Sequence, residues 1–388
     1  MPHHNGKTKL TLLLVSSLTI MSVITISPAL PQMSTYFAAV ENSEFLVKLI
    51  LTIPALFIAI FSPVTGWLID RYGRLKLLWL ALALYAVSGT AGYFLNNIYH
   101  ILISRALLGI SVGMSMTIVI TLIADYFEGQ ERQKFAGIQV AFMSIGGILF
   151  IGLGGFLADI SWRFPFLIYL FAVLVLPMSM LFLPEPEITR REKQPLSKEK
   201  SPGIIWLLFL NTMVMWILFF LIPVQIPFYL KSIGVEKNSL VGAAIAMSTL
   251  FSAISSFSYA RIKGRFSFQT IFSVGFILMA LGFLLISRSG SYGMVVLAMM
   301  LSGFGVGMMI PNTNIWVMKI APSEIRGKEI GKLTMFWFFG QFISPIVTLP
   351  VLQHLSLASA FLVASGFLLL VSVCWFLFSL NSIRKAAG

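Results

Sequence analysis

Residues 66–76 read Gly-Trp-Leu-Ile-Asp-Arg-Tyr-Gly-Arg-Leu-Lys, and this stretch lies between two long apolar runs, 46–65 and 77–95. Its acid and three bases cannot lie in hydrocarbon, because polar groups there need protein or water partners. We therefore expect a tight polar turn at a membrane surface. Gly66 would allow close helix approach, and Gly73 would end a helix at positive φ. Asp70 and Arg74 are four residues apart and would pair if the turn stays helical.

The whole chain has the composition of a protein that crosses a membrane many times. Hydrophobic residues make up 58% and charged residues 11% of it, and the mean hydropathy is +0.92. Apolar runs of about 20 residues, the length that crosses a bilayer, predict membrane-spanning helices. Twelve such runs are present, at about 10–34, 46–65, 77–95, 100–124, 136–157, 164–183, 204–229, 239–260, 268–287, 292–318, 333–352 and 356–381.

The formal charge of +13 is explained by membrane topology. With twelve spans both termini share one side, and that side carries 21 of the 27 Lys and Arg, whereas the other side carries five and Arg105 lies within a span. The positive-inside rule then predicts cytoplasmic termini, in a cell inner membrane of the prokaryotic type. We expect no nucleic-acid partner, and the lone Cys374 allows no internal disulfide. The first run is too long for a secretory signal and is predicted to be the first span.

The two halves of the chain resemble each other at an offset of 194 residues, which pairs Gly109 with Gly303, Gly113 with Gly307 and Arg132 with Arg326. An offset longer by one or two residues pairs Pro28 and Pro31 with Pro223 and Pro227. An offset shorter by three pairs Gly73 with Gly264, which lies in a second basic turn without an acid. The predicted fold class is all-α, with two pseudo-symmetric six-helix bundles. We expect an N-terminal bundle at 1–183, a cytoplasmic linker at 184–203 and a C-terminal bundle at 204–388.

The polar turn has the pattern Gly-x-Leu-x-Asp-Arg-x-Gly-Arg-x-Lys, which resembles the signature between the second and third helices of the major facilitator superfamily. Arg105 followed by Gly109 resembles the second motif of that family. Residues 146–155, ending in Gly154 and Gly155, resemble the antiporter motif of its twelve-helix drug/proton antiporter branches. The usual proline of that motif is missing, since Phe150 and Ile151 stand in its place. The resemblance implies a secondary transporter that works by alternating access between two bundles.

The polar turn and one neighbouring acid are predicted to form a conformational latch, which in this family holds one state of the transport cycle. Its residues would be Gly66, Asp70, Arg71, Gly73, Arg74 and Asp125. The alternative is that these residues only cap helices and set the topology.

Arg105 must face protein, water or a ligand, because a bare arginine inside a membrane helix costs roughly 3 kcal/mol or more. It would either bind an anionic group in the substrate cavity or stiffen its own half through neighbouring carbonyls. The first, fourth, seventh and tenth helices, with flanking ones, are expected to line that cavity. Its candidate residues are Arg105, Gln139, Asn211, Gln225, Asn312, Asn314, Trp316, Trp337 and Gln341. The glycines predicted to pack helices closely are Gly109, Gly113, Gly154, Gly155, Gly303 and Gly307.

All fourteen acids fall outside the middle of the predicted spans. Either Asp70 or Asp125 handles protons, or the substrate is not a simple cation. We expect proton-coupled efflux of a small organic molecule such as a drug, amphiphile or metabolite. A proton-symport importer, or an exporter of an anionic or zwitterionic metabolite such as a chelator, is the alternative.

The sequence contains no arrangement typical of an enzyme: it has no His-Glu-x-x-His, no Cys pair and no Ser-His-Asp set. The glycines at 303–307 lie in an apolar run and lack the Lys-Ser/Thr of a nucleotide loop. We therefore expect no metal, no cofactor and no ATP, with a proton gradient as the energy source. The expected surroundings are a lipid bilayer and a small-molecule substrate, and we expect a monomer.

Overall fold

The computed structural model describes residues 5–186 and 201–387, with side chains up to residue 380. The predicted linker at 184–203 therefore lies mostly outside the described residues. Fourteen α-helices follow one another through the described ranges. They are α1 (Gly6–Ile24), α2 (Leu30–Tyr36), α3 (Ser43–Tyr72), α4 (Leu75–Phe94), α5 (Ile98–Tyr126), α6 (Gly129–Ile160), α7 (Phe171–Phe182), α8 (Gly203–Phe219), α9 (Leu221–Ser232), α10 (Asn238–Lys263), α11 (Phe268–Arg288), α12 (Tyr292–Ile320), α13 (Arg326–His354) and α14 (Leu357–Ala387).

Twelve segments of the described chain are long and apolar enough to cross a membrane, which confirms the predicted number of spans. Several helices continue beyond their apolar runs into polar sequence. The helix α6 begins at Gly129 rather than near residue 136, and α13 begins at Arg326 rather than near residue 333. A helix bonds its backbone internally, so it has no reason to stop at the edge of the hydrocarbon.

The first span of each half is interrupted near the matched prolines. The helix α1 ends at Ile24, four residues before Pro28, and α8 ends at Phe219, four residues before Pro223. A proline ring clashes with the carbonyl four residues earlier and removes one backbone N–H, which favours a break there. Pro54, Pro63 and Pro311 nevertheless lie inside continuous helices. Phe220, with φ −72° and ψ −8°, is the single residue between α8, which carries Asn211, and α9, which carries Gln225.

The described residues form two compact units. The first contains the chain before the undescribed segment together with Lys237–Gly242, and the second contains the rest. Thus the first turn of α10 groups with the first unit, although the rest of that helix belongs to the second.

The repeated glycines have the same packing role in each unit. In the first unit, a Cβ on Gly109 or Gly113 would meet the backbone of α3, at Pro54 and Ile58 respectively. In the second unit, a Cβ on Gly303 or Gly307 would meet the backbone of α10, at Ser248 and Ser252. Small residues let membrane helices approach at backbone distance, where van der Waals contact stabilises the pair.

Candidate functional site

The polar turn after α3 takes the shape that its glycine allows. The helix ends at Tyr72, and Gly73 follows with φ 83° and ψ 177°, a conformation open essentially only to glycine. Arg74 then directs its Nε to the Oδ2 of Asp125, at the end of α5, over 3.1 Å. The structure thus brings Arg74 and Asp125 of the predicted latch together within the first unit.

A second acid, Glu185, completes this turn and was not among the sequence candidates. Its Oε1 accepts a hydrogen bond from the backbone N–H of Arg74 (2.7 Å), and its Oε2 accepts one from that of Leu75 (2.9 Å). Glu185 therefore satisfies amide groups at the start of α4 and places a negative charge at the positive end of that helix. Its position after the sixth span gave no hint of this contact, since the bonded residues are 111 and 110 positions apart.

The remaining predicted latch residues do not join that cluster among the described residues. Asp70 is exposed and forms no ion pair among the described residues. Its expected pair with Arg74 is absent there, because α3 ends between the two residues. The guanidinium of Arg71 lies over the rings of Trp67 and Tyr72, at 6.0 and 5.5 Å from their centroids. The expected close helix approach at Gly66 is wrong: a Cβ there would meet nothing within 4 Å, because α3 makes its closest contacts near Pro54 and Ile58.

Arg105 is fully buried inside the first unit. Its Nη2 donates to the hydroxyl of Tyr169 over 2.6 Å, and that hydroxyl in turn contacts the carbonyl of Ser22 at 3.4 Å. The guanidinium also lies over the rings of Tyr169 and Phe166, at 4.6 and 5.0 Å from their centroids. Its Nε and Nη1 have no hydrogen-bond partner among the described residues. The side chain is therefore held by aromatic groups, with two donor nitrogens left over.

Three further predicted positions of the first unit lie on α6. Gln139 donates from its Nε2 to the Oγ of Ser16 on α1, over 2.8 Å. Gly154 lies against the backbone of Thr25, and Gly155 lies against Asn238 and Gly242 at the start of α10. These glycines therefore permit close backbone approach on two sides of α6.

In the second unit, an aromatic pair joins α8 to α13. The rings of Trp216 and Trp337 stack with centroids 4.3 Å apart and an interplanar angle of 20°. Gly340 permits this approach, because a Cβ there would lie 2.7 Å from the carbonyl oxygen of Met213. The indole Nε1 of Trp216 is buried without a hydrogen-bond partner among the described residues.

Buried amides on the same spans are also incompletely bonded. Asn211 accepts a hydrogen bond from the Nε1 of Trp375 at 2.7 Å, while its Nδ2 has no described partner. Both amide atoms of Gln225 and the Oε1 of Gln341 are likewise without one. A buried polar group without a partner costs free energy, so such a set points to water or a ligand.

The cluster predicted around residue 312 is used mainly within the protein. Asn312 accepts from the hydroxyl of Tyr259 (3.0 Å) and donates to the carbonyl of Phe268 (2.9 Å). Trp316 stacks on the ring of Phe268, with centroids 5.1 Å apart, and Asn314 is half-buried. Asn312 therefore has fewer free polar atoms for a ligand than Gln225 has.

Glu329 is the one buried carboxylate in the part of the chain that the structure describes, with 1% of its surface exposed. It lies in the first turn of α13, where its Oε1 pairs with the Nζ of Lys332 at 2.8 Å and its Oε2 has no described partner. Glu329 lies one helical turn before the buried Leu333, on the same face of α13.

Within the described residues, no group of three or more His, Cys, Asp and Glu side chains could hold a metal ion.

A family model described as Major Facilitator Superfamily matches residues 12–266 and 226–387, which together cover almost the whole chain. The chain belongs to the Major Facilitator Superfamily. This confirms the resemblance carried by the polar turn, and it makes the protein a membrane-embedded secondary transporter and not an enzyme.

Two bacterial relatives of this superfamily member are exporters or resistance proteins by name. The chain is 26% identical over 386 residues to the bacillibactin exporter of Bacillus subtilis (strain 168), and the alignment covers 92% of each protein. It is 26% identical over 295 residues to the quinolone resistance protein NorA of Staphylococcus aureus (strain Mu50 / ATCC 700699), covering 74% of this chain and 76% of that protein.

Solved structures of the same superfamily share the fold. A crystal structure of a D-xylose-proton symporter matches with a TM-score of 0.78 at 16% identity, covering 95% of this chain and 96% of the other. A POT family transporter in complex with 5-aminolevulinic acid also matches with a TM-score of 0.78, at 15% identity and 98% coverage of both. These neighbours confirm the all-α fold of twelve spans.

Proposed function

We propose that this transporter exports small organic molecules in exchange for protons, and that its cargo carries an anionic group or is zwitterionic or neutral. The observation that carries the proposal is Arg105, a fully buried guanidinium with two free donor nitrogens and no carboxylate partner among the described residues. A site for simple cations would be expected to place a carboxylate at such a depth, whereas Arg105 favours an anionic group.

The second unit supplies features suited to organic cargo. Flat apolar walls come from the stacked rings of Trp216 and Trp337, and unpaired amide atoms come from Gln225 and Gln341. Small-molecule sites typically combine apolar walls with a few polar groups that orient the ligand. The names of the two relatives support efflux as the direction, and one of them also supports drug-like cargo.

Proton coupling needs at least one group that takes up and releases a proton during the cycle. The described carboxylates offer three candidates: Asp70, which is exposed; Asp125, which is bound to Arg74; and Glu329, which is buried. We add Glu329 to the two acids that the sequence suggested, because it is buried and its Oε2 has no hydrogen-bond partner among the described residues.

The test uses everted membrane vesicles that contain the full chain and are energised to be acidic inside. Two fluorescent probes are compared: norfloxacin, which carries a carboxylate and an amine, and ethidium, a permanent cation. We expect norfloxacin to accumulate in the vesicles and ethidium to accumulate at least tenfold less. Nigericin, which collapses the proton gradient, should abolish the accumulation of norfloxacin.

The matched variants are Arg105→Lys and Lys231→Gln. Lysine keeps the charge but loses the planar group that stacks on Tyr169 and Phe166, so we expect at least a tenfold loss of norfloxacin transport. The exposed Lys231 should be replaceable without effect. Uptake into right-side-out vesicles driven by inward proton flow would overturn the export proposal, and ethidium transport equal to that of norfloxacin would overturn the cargo class.

A further inference from the structure

The second unit contains a strongly basic turn between α10 and α11. It carries Arg261, Lys263 and Arg265, and Lys319 at the end of α12 lies beside it. We call these four residues the basic cluster. The Nζ atoms of Lys263 and Lys319 both lie over the ring of Phe268, at 4.1 and 5.8 Å from its centroid. One aromatic ring thus brings two positive charges together.

The corresponding turn of the first unit is neutralised by acids, whereas this one has no acidic partner among the residues that the structure describes. There, Arg74 is bonded by Asp125 through its side chain and by Glu185 through its backbone. Among the described residues, no carboxylate oxygen lies within 4.0 Å of a charged nitrogen of the basic cluster. Four like charges at the end of packed helices repel one another unless a counter-ion is present.

A cavity of about 540 Å³ opens at this turn. It is lined by residues 260–262 and 264–266, so the arginines at 261 and 265 both border it. The Nζ of Lys263 donates a hydrogen bond to the carbonyl of Phe266, another residue that lines the cavity, over 3.0 Å. Two arginines that border one cavity place positive charge where a negatively charged group could bind.

The face of α10 next to this turn exposes apolar side chains in the part of the chain that the structure describes. Ile254 and Phe257 are 43% and 65% exposed, and the spacing 254, 257, 261 places both on the same face of α10 as Arg261. Phe266, at the tip of the turn, is 49% exposed. An apolar stripe on a membrane-spanning helix that ends in arginines with no described acidic partner matches an acyl chain that ends in a charged headgroup.

We propose that the basic cluster binds the phosphodiester headgroup of an anionic phospholipid, with an acyl chain along Ile254 and Phe257. The lipid supplies the negative charge that acids supply to the turn of the first unit. The site stands on the side of the membrane that carries the excess of Lys and Arg, where the contact with anionic lipid adds to the topological preference.

The experiment titrates the purified full chain in detergent with phosphatidylglycerol, with phosphatidylcholine and with inorganic phosphate. The melting temperature and native mass spectrometry of bound lipid are the two measurements. We expect phosphatidylglycerol to raise the melting temperature by several degrees and to remain bound in the gas phase. Phosphatidylcholine at the same concentration should do neither.

The variants test whether lipid binding depends on the basic cluster or only on the net charge of the protein. Arg261→Gln combined with Arg265→Gln should weaken phosphatidylglycerol binding roughly tenfold or more, since each basic residue near a membrane surface contributes to anionic lipid binding. Lys231→Gln combined with Arg288→Gln removes the same charge from exposed positions at the far ends of α9 and α11 and should change nothing. Arg261→Lys combined with Arg265→Lys keeps the charge and should retain most of the binding.

Two results would overturn the proposal. One is an unchanged affinity for phosphatidylglycerol in the glutamine double variant. The other is inorganic phosphate that stabilises the protein and displaces the lipid, which would make this a site for a free anion. The comparison of two lipids on the unaltered protein keeps the test valid if a variant fails to fold.

Discussion

At the scale of single residues, Gly73 decides the geometry of the polar turn. Its φ of 83° and ψ of 177° place the next backbone N–H groups where Glu185 bonds them, and a Cβ on Gly73 would lie 3.0 Å from the Oε1 of that acid. Gly66 belongs to the same motif but is an ordinary helical residue with open space beside it. Two glycines of one motif thus have different physical roles.

We therefore predict opposite results for Gly73→Ala and Gly66→Ala. The first should destabilise the protein by about 1–3 kcal/mol, because alanine is strained in this backbone region. The second should be neutral or stabilise by up to about 1 kcal/mol, because alanine is the better helix former and meets no neighbour. Melting temperatures of the two purified variants, measured side by side, check this. Equal losses in both would show that the backbone conformation of Gly73 is not what the motif needs.

At the scale of elements, the repeated glycines of each unit bring one pair of helices into backbone contact. The helix α5 lies against α3 through Gly109 and Gly113, and α12 lies against α10 through Gly303 and Gly307. Within a membrane the surrounding lipid is as apolar as the helices, so burial of apolar surface adds little. Close van der Waals packing has to hold the pair together.

The variants Gly109→Ala and Gly303→Ala should each destabilise the protein, typically by 1–3 kcal/mol, because the new methyl group would overlap a neighbouring backbone. A Cβ at Gly109 would lie 2.8 Å from the Cβ of Phe57, and one at Gly303 would lie 2.8 Å from the Cα of Ser248. The matched controls are Gly152→Ala and Gly366→Ala, where nothing lies within 4 Å. Thermal unfolding of the four variants provides the measurement, and control variants as unstable as the other two would contradict the packing argument.

At the scale of the whole molecule, a secondary transporter must connect movement of its cargo to movement of an ion. No acid lies inside a predicted span, yet α13 places Glu329 out of contact with solvent. Lys332, one turn further along, neutralises its Oε1 and leaves Oε2 free of described partners.

Glu329→Gln should abolish proton-driven uphill transport while leaving exchange of substrate across the membrane within about twofold of the unaltered protein. Glutamine keeps the shape of glutamate but cannot take up a proton, so only the coupled mode should fail. Proteoliposomes tested with and without an imposed proton gradient separate the two modes, and the exposed Glu236→Gln is the control. Intact uphill transport in Glu329→Gln would show that Glu329 does not couple transport to protons, and would leave Asp70 and Asp125 as the candidates.

The amino-acid sequence by itself determined the number of spans, the superfamily and the paired glycines of the two halves. These follow from local properties: about 20 apolar residues cross a bilayer, and a helix satisfies its own backbone. A proline weakens a helix four residues earlier, but Pro54, Pro63 and Pro311 lie inside continuous helices, so only the structure shows that breaks fall after Ile24 and Phe219.

Only the tertiary structure decided which charges meet. Arg74 lies 51 residues from Asp125 and 111 from Glu185, and no local pattern chooses between these acids and the nearer Asp70. The burial of Arg105 by Tyr169 and that of Glu329 at the start of α13 also depend on which helices pack together. Electrostatic partners are set by distance in space, and folding brings together groups that the chain keeps far apart.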